Sequence, residues 1–174
     1  LDLLEAFDQV RATRPLKLTL AGASDRETSA GQLIQSRISQ SPYAQDIEAV
    51  GMVAFGEELF SLYRDHDILI QPSLSEGTPR TLVEARSLGL PVIASEVGGV
   101  PSSVKNETDG LLVPKRAPHS LADAINRILD DENLRQHLIE NGLKNRGSYS
   151  LEDFADQLIE EVQMVVAESR VSAC

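Results

Sequence analysis

Apolar positions along this chain switch repeatedly between a helical and a strand rhythm. In LDLLEAFDQVRATRP, Leu3, Leu4, Phe7 and Val10 recur at helical spacing and Pro15 stands beyond them as a stop. LKLTLAGASD then alternates apolar and polar residues before an Ala-Gly-Ala-Ser turn, the pattern of a strand. LIQSRISQ predicts a weakly patterned helix broken at Ser41-Pro42, and IEAVGMVAF a second strand. EELFSLYRDH sets Leu59, Leu62 and Tyr63 on one helical face and leads into DILIQPS, a short buried strand ending at Pro72. PRTLVEARSLG predicts a helix with Thr78 as N-cap, Pro79 at the first helical position, where a missing N–H costs nothing, and Gly89 as terminator.

LPVIAS is the next strand, and after VGGVP a helical turn around Ser102 to Lys105 precedes TDGLLVP, where Asp109-Gly110 turns the chain into a small strand. Three helices close the sequence: SLADAINRILD, ENLRQHLIENGLK and SLEDFADQLIEEVQMVVAE, with a polar joint from Asn145 to Ser150 before the last. Such alternation predicts an α/β fold, a Rossmann-like parallel sheet with helices on both faces. Ligands of such sheets sit at the carboxyl ends of the strands.

Composition narrows the function. A chain of 174 residues, 41% hydrophobic, fits one domain spanning residues 1–174. A formal net charge of -11 argues against a broad footprint for nucleic acid or anionic lipid. The one cysteine, Cys174, cannot form an intrachain disulfide, which favours a reducing compartment. No segment approaches the roughly 18 apolar residues of a membrane span, and the amphipathic LDLLEAFDQVRATR is unlike a signal peptide. A cytoplasmic location is expected.

The stretch SEGTPRTLVEARSLGLPVIAS carries the candidate chemistry. DILIQPS would deliver the chain to the carboxyl edge of the sheet, SEGTP would turn it, and the amides of Arg80, Thr81 and Leu82 would open the next helix without intrahelical acceptors. Those donors and the helix dipole favour an anion, and a diphosphate suits the site. Glu76 precedes that nest and Glu84 follows it. Carboxylates repel phosphates but accept hydrogen bonds from sugar hydroxyls, so the layout suits a nucleoside diphosphate sugar.

Five blocks, in order, make the pattern specific: VAFGEELFSLYRDHDILIQPS, the Glu-x7-Glu stretch EGTPRTLVE, LGLPVIASEVGGVP, TDGLLVP and LADAINRIL. Together they resemble the GT-B glycosyltransferases of group 1, family 4, a retaining class, and specifically the C-terminal, donor-binding half. That resemblance implies that Glu84 binds the ribose hydroxyls. It implies that Gly77, Thr78, Arg80, Thr81 and Leu82 hold the diphosphate, mainly through main chain and the Thr81 side chain. Glu76 would be the catalytic carboxylate, positioning the transferred sugar and stabilising positive charge at its anomeric carbon. The donor would be a UDP-, GDP- or ADP-linked sugar. No metal is expected, since the chain lacks a DxD-like acidic pair beside a strand and clustered histidines.

The chain departs from the resembled pattern in several places. Family members carry a central strand before the first helix, ending in Gly-Arg with a Lys soon after, and an N-terminal domain for the acceptor. This sequence begins inside that helix, so either the strand's place is open or another segment fills it, and the chain alone should not catalyse transfer. Pro79 replaces a common glycine, and Ser102 a common glutamate. The alternative is a non-catalytic domain that uses the scaffold to bind nucleotide or protein. Gly98 and Gly99 either let a sugar approach the backbone or form a plain turn. Phe55 and Gly56 either border the base or close the core. His66, His119 and His137 have no sequence partners for a triad or metal site and are read as structural.

Overall fold

The computed structural model describes residues 1–22 and 28–144. Within the compact unit Leu1–Leu143, helices and strands alternate: α1 (Asp2–Arg11), β1 (Leu18–Ala21), α2 (Ser29–Gln40), β2 (Ile47–Gly51), α3 (Glu57–Asp65), β3 (Leu69–Gln71), α4 (Arg80–Ser87), β4 (Val92–Ser95), α5 (Val100–Ser103), β5 (Leu111–Val113), α6 (Pro118–Asp130) and α7 (Glu132–Lys144). A 3-10 turn, Ala44–Asp46, leads into β2. The expected final helix, from Ser150 onward, and the joint before it lie outside the described residues.

All pairings are parallel, but the strands form two sheets rather than one: β1 with β2, and β3-β4-β5. Among the described residues no strand links β1 to β3. β4 is buried along its whole length and its side chains alternate between two cores. Ile93 points to a cluster built with Ala6 and Val10 of α1 and Leu121, Ile125 and Ile128 of α6. Val92 and Ala94 join Tyr63 of α3, Leu82 and Ala85 of α4, and Val100. Helices therefore cover both faces, as a parallel sheet requires. Truncating a fully buried residue such as Leu82 to alanine would cost about 2–5 kcal/mol.

Three boundaries differ from the sequence reading for local reasons. β2 stops at Gly51, whose φ of 76° turns the chain, so Met52 and Phe55 are exposed instead of continuing the strand. α2 starts four residues early, because the Thr28 hydroxyl caps it by accepting the Gly31 amide at 3.0 Å. At α4, Pro79 rather than Thr78 is the N-cap: its ψ of 92° is extended, and its carbonyl accepts the Leu82 amide at 3.2 Å.

A buried ion pair fixes the back of α4. Arg86 and Asp109, 3% and 2% exposed, meet at 2.6 Å. The Arg86 guanidinium also donates to the carbonyls of Leu82 and Ser103, while Asp109 accepts the Lys105 amide. Two charges so deep are tolerable because they pair with each other and each makes further hydrogen bonds to the main chain.

Candidate functional site

The loops after β3 and β4 meet at the carboxyl edge of the three-stranded sheet. They touch backbone to backbone: the Gly99 amide donates to the Glu76 carbonyl at 3.2 Å. A Cβ on Gly98 would lie 1.9 Å from the Glu76 carbonyl oxygen, and one on Gly99 would lie 2.3 Å from that of Gly77. The space their missing side chains leave is thus taken by the Glu76–Gly77 main chain. The two glycines do form a turn, as one of the two expectations had it, and the packed main chain adds a second reason why each lacks a side chain.

The pinned loop aims Glu76. Its Oε1 accepts from Gln71 Nε2 at 2.7 Å and from the Ser73 hydroxyl at 2.6 Å. Gln71 is in turn held by the Thr81 hydroxyl, which donates to its Oε1 at 2.5 Å. A relay from Thr81 on α4 through Gln71 at the end of β3 therefore fixes the carboxylate, leaving Oε2 without a protein donor among the described residues. Gln71 and Ser73 were missed in the sequence, although Gln71 was the one polar side chain at the end of an apolar strand.

Beyond the loop, Gly77, Thr78, Arg80 and Thr81 are all exposed, so the tip of α4 is open to solvent. The amides of Arg80 and Thr81 find no acceptor among the described residues. Leu82 differs: its amide is engaged by Pro79 and its side chain is fully buried, so it closes the first turn rather than presenting a donor.

Glu84 lies one turn inside α4, on the side facing α3. Its side chain is 19% exposed, accepts from the Tyr63 hydroxyl at 3.2 Å, and has Arg80 at 3.9 Å. Burial, with the neighbouring Glu84 charge, holds the Tyr63 phenol well above the ordinary tyrosine range, so it stays a donor. Tyr63 was assigned only to a helix face; its hydroxyl is the polar handle that orients Glu84. The Arg80 guanidinium also lies 5.8 Å from the Phe55 ring, which packs edge-on against Phe60 and is 68% exposed. Phe55 therefore does not close the core.

Each histidine has a partner within the protein. His66 bridges the Leu62 carbonyl and the Thr19 hydroxyl, His119 meets Gln9, and His137 meets Asn141. Among the described residues no group of three His, Cys, Asp or Glu is placed to hold a metal ion, and no helix is long and apolar enough to cross a membrane.

Parallel βα units with an open helix tip between two oriented carboxylates define a GT-B-type α/β domain, and solved structures bear out that class. The C-terminal domain of the group 1 glycosyl transferase LpcC from Francisella tularensis superimposes with a TM-score of 0.75 at 24% identity, over 86% of this chain and 78% of that one. Anabaena HepE, solved with UDP-glucose, gives 0.81 at 21% identity, over 94% of this chain and 44% of HepE. Sucrose-phosphate synthase from Thermosynechococcus elongatus gives 0.77 at 30% identity, over 96% of this chain and 43% of that enzyme.

The chain belongs to the group 1 glycosyl transferases, whose family model matches residues 1–145. Among curated relatives, the D-inositol 3-phosphate glycosyltransferase of Corynebacterium urealyticum is 36% identical over 104 residues, 60% of this chain and 24% of that protein. An uncharacterized glycosyltransferase of Methanocaldococcus jannaschii is 27% identical over 158 residues, 90% of this chain and 39% of that protein. The chain thus spans well under half the length of these relatives.

Proposed function

We propose that this chain is the donor-binding part of a retaining, family 4 glycosyltransferase that moves a sugar from a nucleoside diphosphate sugar to an acceptor hydroxyl. The observation that carries the reading is the pair of carboxylates, Glu76 and Glu84, each oriented by its own hydrogen-bond donors beside the exposed tip of α4.

The diphosphate lies against Gly77, Thr78 and the amides of Arg80 and Thr81, where orphan donors and the helix dipole favour negative charge. Arg80, 80% exposed, has the freedom to swing from Glu84 to a phosphate. Glu84 accepts the ribose hydroxyls while Tyr63 keeps one of its oxygens in place. Glu76 faces the sugar with Oε2. Because Gln71 and Ser73 already hold Oε1, the carboxylate is preorganised where positive charge develops at the anomeric carbon, and it need not rotate during reaction.

The acceptor attacks from the face the diphosphate leaves, and the leaving oxygen takes the acceptor's proton. In this scheme the helix tip meets the leaving group's charge, and no metal takes part. An acceptor domain N-terminal to this chain supplies the second substrate, so the chain alone is inactive and works in the cytoplasm as part of the larger enzyme. UDP-glucose, bound in HepE, is the first donor to try.

The test is a fusion of this chain to a group 1 acceptor domain, assayed with UDP-, GDP- and ADP-sugars. Transfer with retained anomeric configuration, lost in Glu76→Gln, supports the reading. Nucleotide binding without transfer by any such fusion points to the non-catalytic alternative.

A further inference from the structure

The hydrogen bonds that aim Glu76 can run in only one direction. A carboxylate accepts and does not donate, so Gln71 turns its amide nitrogen toward Glu76, 2.7 Å away. That choice fixes the flip of the amide and leaves its carbonyl oxygen, an acceptor, facing Thr81. The Thr81 hydroxyl has a single proton, and at 2.5 Å from Gln71 Oε1 that proton is committed to the amide oxygen. The charge at one end of the relay thus sets the polarity of every bond back to α4.

The consequence falls on the helix tip. Phosphate oxygens are acceptors too, and a hydroxyl already donating to Gln71 has no proton for them. What Thr81 still offers an anion is its main-chain amide, which finds no acceptor among the described residues. The residue is divided: its amide belongs to the open end of α4, its hydroxyl to the group that orients Glu76.

Each member of the relay stands on a fixed element. Thr81 lies in the first turn of α4, next to the fully buried Leu82. Gln71 ends β3 opposite Ala94 of β4, a strand buried along its whole length. Glu76 sits on main chain held by the Gly99 amide, and its Oε1 takes a second donor from Ser73 at 2.6 Å. Without the Thr81 hydroxyl, Gln71 Oε1 loses its donor. The terminal amide torsion is broad and roughly two-fold, so the amide could then turn over and set oxygen against the carboxylate.

We propose that Thr81 and Gln71 are positioning residues for Glu76, Thr81 acting through Gln71, and that the Thr81 hydroxyl is not a ligand of the diphosphate. The diphosphate then takes only the Thr81 amide, in place of the amide and side chain together expected from the sequence. The inference rests on the donor reading of the site for the task it gives Glu76, while the relay itself is measurable without nucleotide.

The experiment uses Thr81→Val, which keeps the shape and removes the hydroxyl, Thr81→Ser, which keeps the hydroxyl, and Gln71→Met. In the isotope-labelled chain without nucleotide, the Gln71 side-chain amide protons should exchange about fivefold faster in Thr81→Val, the worth of one ordinary hydrogen bond, and at the parent rate in Thr81→Ser. Calorimetry with UDP, GDP and ADP should leave Thr81→Val within about twofold of the parent, whereas a hydroxyl bound to phosphate would be missed by at least about tenfold. In the fusion to an acceptor domain, Thr81→Val should lower kcat on the order of tenfold at unchanged donor KM, with activity restored in Thr81→Ser. Thr81→Val added to Gln71→Met should cost nothing further, because the two act in series. A tenfold loss of nucleotide affinity in Thr81→Val, unchanged exchange at Gln71, or multiplying losses of kcat in the double variant would each overturn the proposal. Failure of the parent chain to bind any of the three nucleotides would sink the donor reading and this proposal with it; a parent that binds beside a Thr81→Val chain that does not sinks this proposal alone.

Discussion

Gly98→Ala tests how the site is aimed. The added Cβ would fall 1.9 Å from the Glu76 carbonyl oxygen, whereas real Cβ contacts essentially never come under 3.0 Å, so the loop carrying Glu76 must retreat by about 1.1 Å. The atom in the way is main chain, which has no rotamer to escape into. Gly98 also has φ +52°, where an L side chain costs roughly 1–2 kcal/mol. Overpacking adds about 1–3 kcal/mol. The sum, about 2–5 kcal/mol, would lower Tm by on the order of 10 °C in a domain of this size. Because a shift of ~1 Å at a reacting group can cost on the order of 100-fold in rate, transfer by a fusion carrying the variant should fall by about that factor. Gly77→Ala is the internal contrast in the melt, since a Cβ there meets nothing within 4 Å. If Gly98→Ala melts within ~2 °C of the parent while Gly77→Ala does not, the backbone contact is not what holds the loop.

Four further outcomes are expected. Glu84→Ala should weaken nucleoside diphosphate binding about tenfold to a hundredfold by calorimetry, the worth of hydrogen bonds to a charged acceptor, and Tyr63→Phe should weaken it less. In a spectrophotometric titration the Tyr63 phenol should ionise above the ordinary range, and in Glu84→Gln it should move back down; the raised folded value means its stabilising contribution is complete below pH ~10, the unfolded value, and is lost as pH climbs beyond it. Arg86→Met, which leaves Asp109 buried beside an apolar chain, should cost about 3–5 kcal/mol in denaturant melts, while pairing it with Asp109→Leu should recover part of that loss. Glu76→Gln in an active fusion should lower kcat by roughly a hundredfold to a thousandfold with little change in donor KM, because the charge it removes matters most in the transition state.

Much of this architecture was legible because its signals are local. Helix α1 follows from the spacing of Leu4, Phe7 and Val10, all buried, and β4 from an unbroken apolar run. The order of strands and helices then dictates helices on both faces. The loop from Ser73 to Thr78 was legible as a candidate site because Pro79 and the helix after it announce an exposed N-terminus. What sequence could not show are contacts between distant segments. Gly98 and Gly99 read as either a turn or a point of sugar approach, because Glu76 and Gly77, whose main chain forbids them a side chain, are more than twenty residues away. Tyr63 looked like packing until α3 placed its hydroxyl on Glu84. Phe55 followed an apolar run, so core was one of its two readings, yet the left-handed turn at Gly51 ends the strand before it and the ring is exposed. The N-cap moved by one residue because Pro79 stays extended while the loop before it is anchored to Gly98–Gly99.

Titration of the isotope-labelled chain with UDP, GDP and ADP, followed by amide chemical shifts, addresses the donor site most directly. Saturable shifts centred on Gly77, Thr78, Arg80 and Thr81 for at least one nucleotide, weakened in Glu84→Ala, are the predicted result. Shifts confined to other surfaces, or binding indifferent to Glu84, would contradict it.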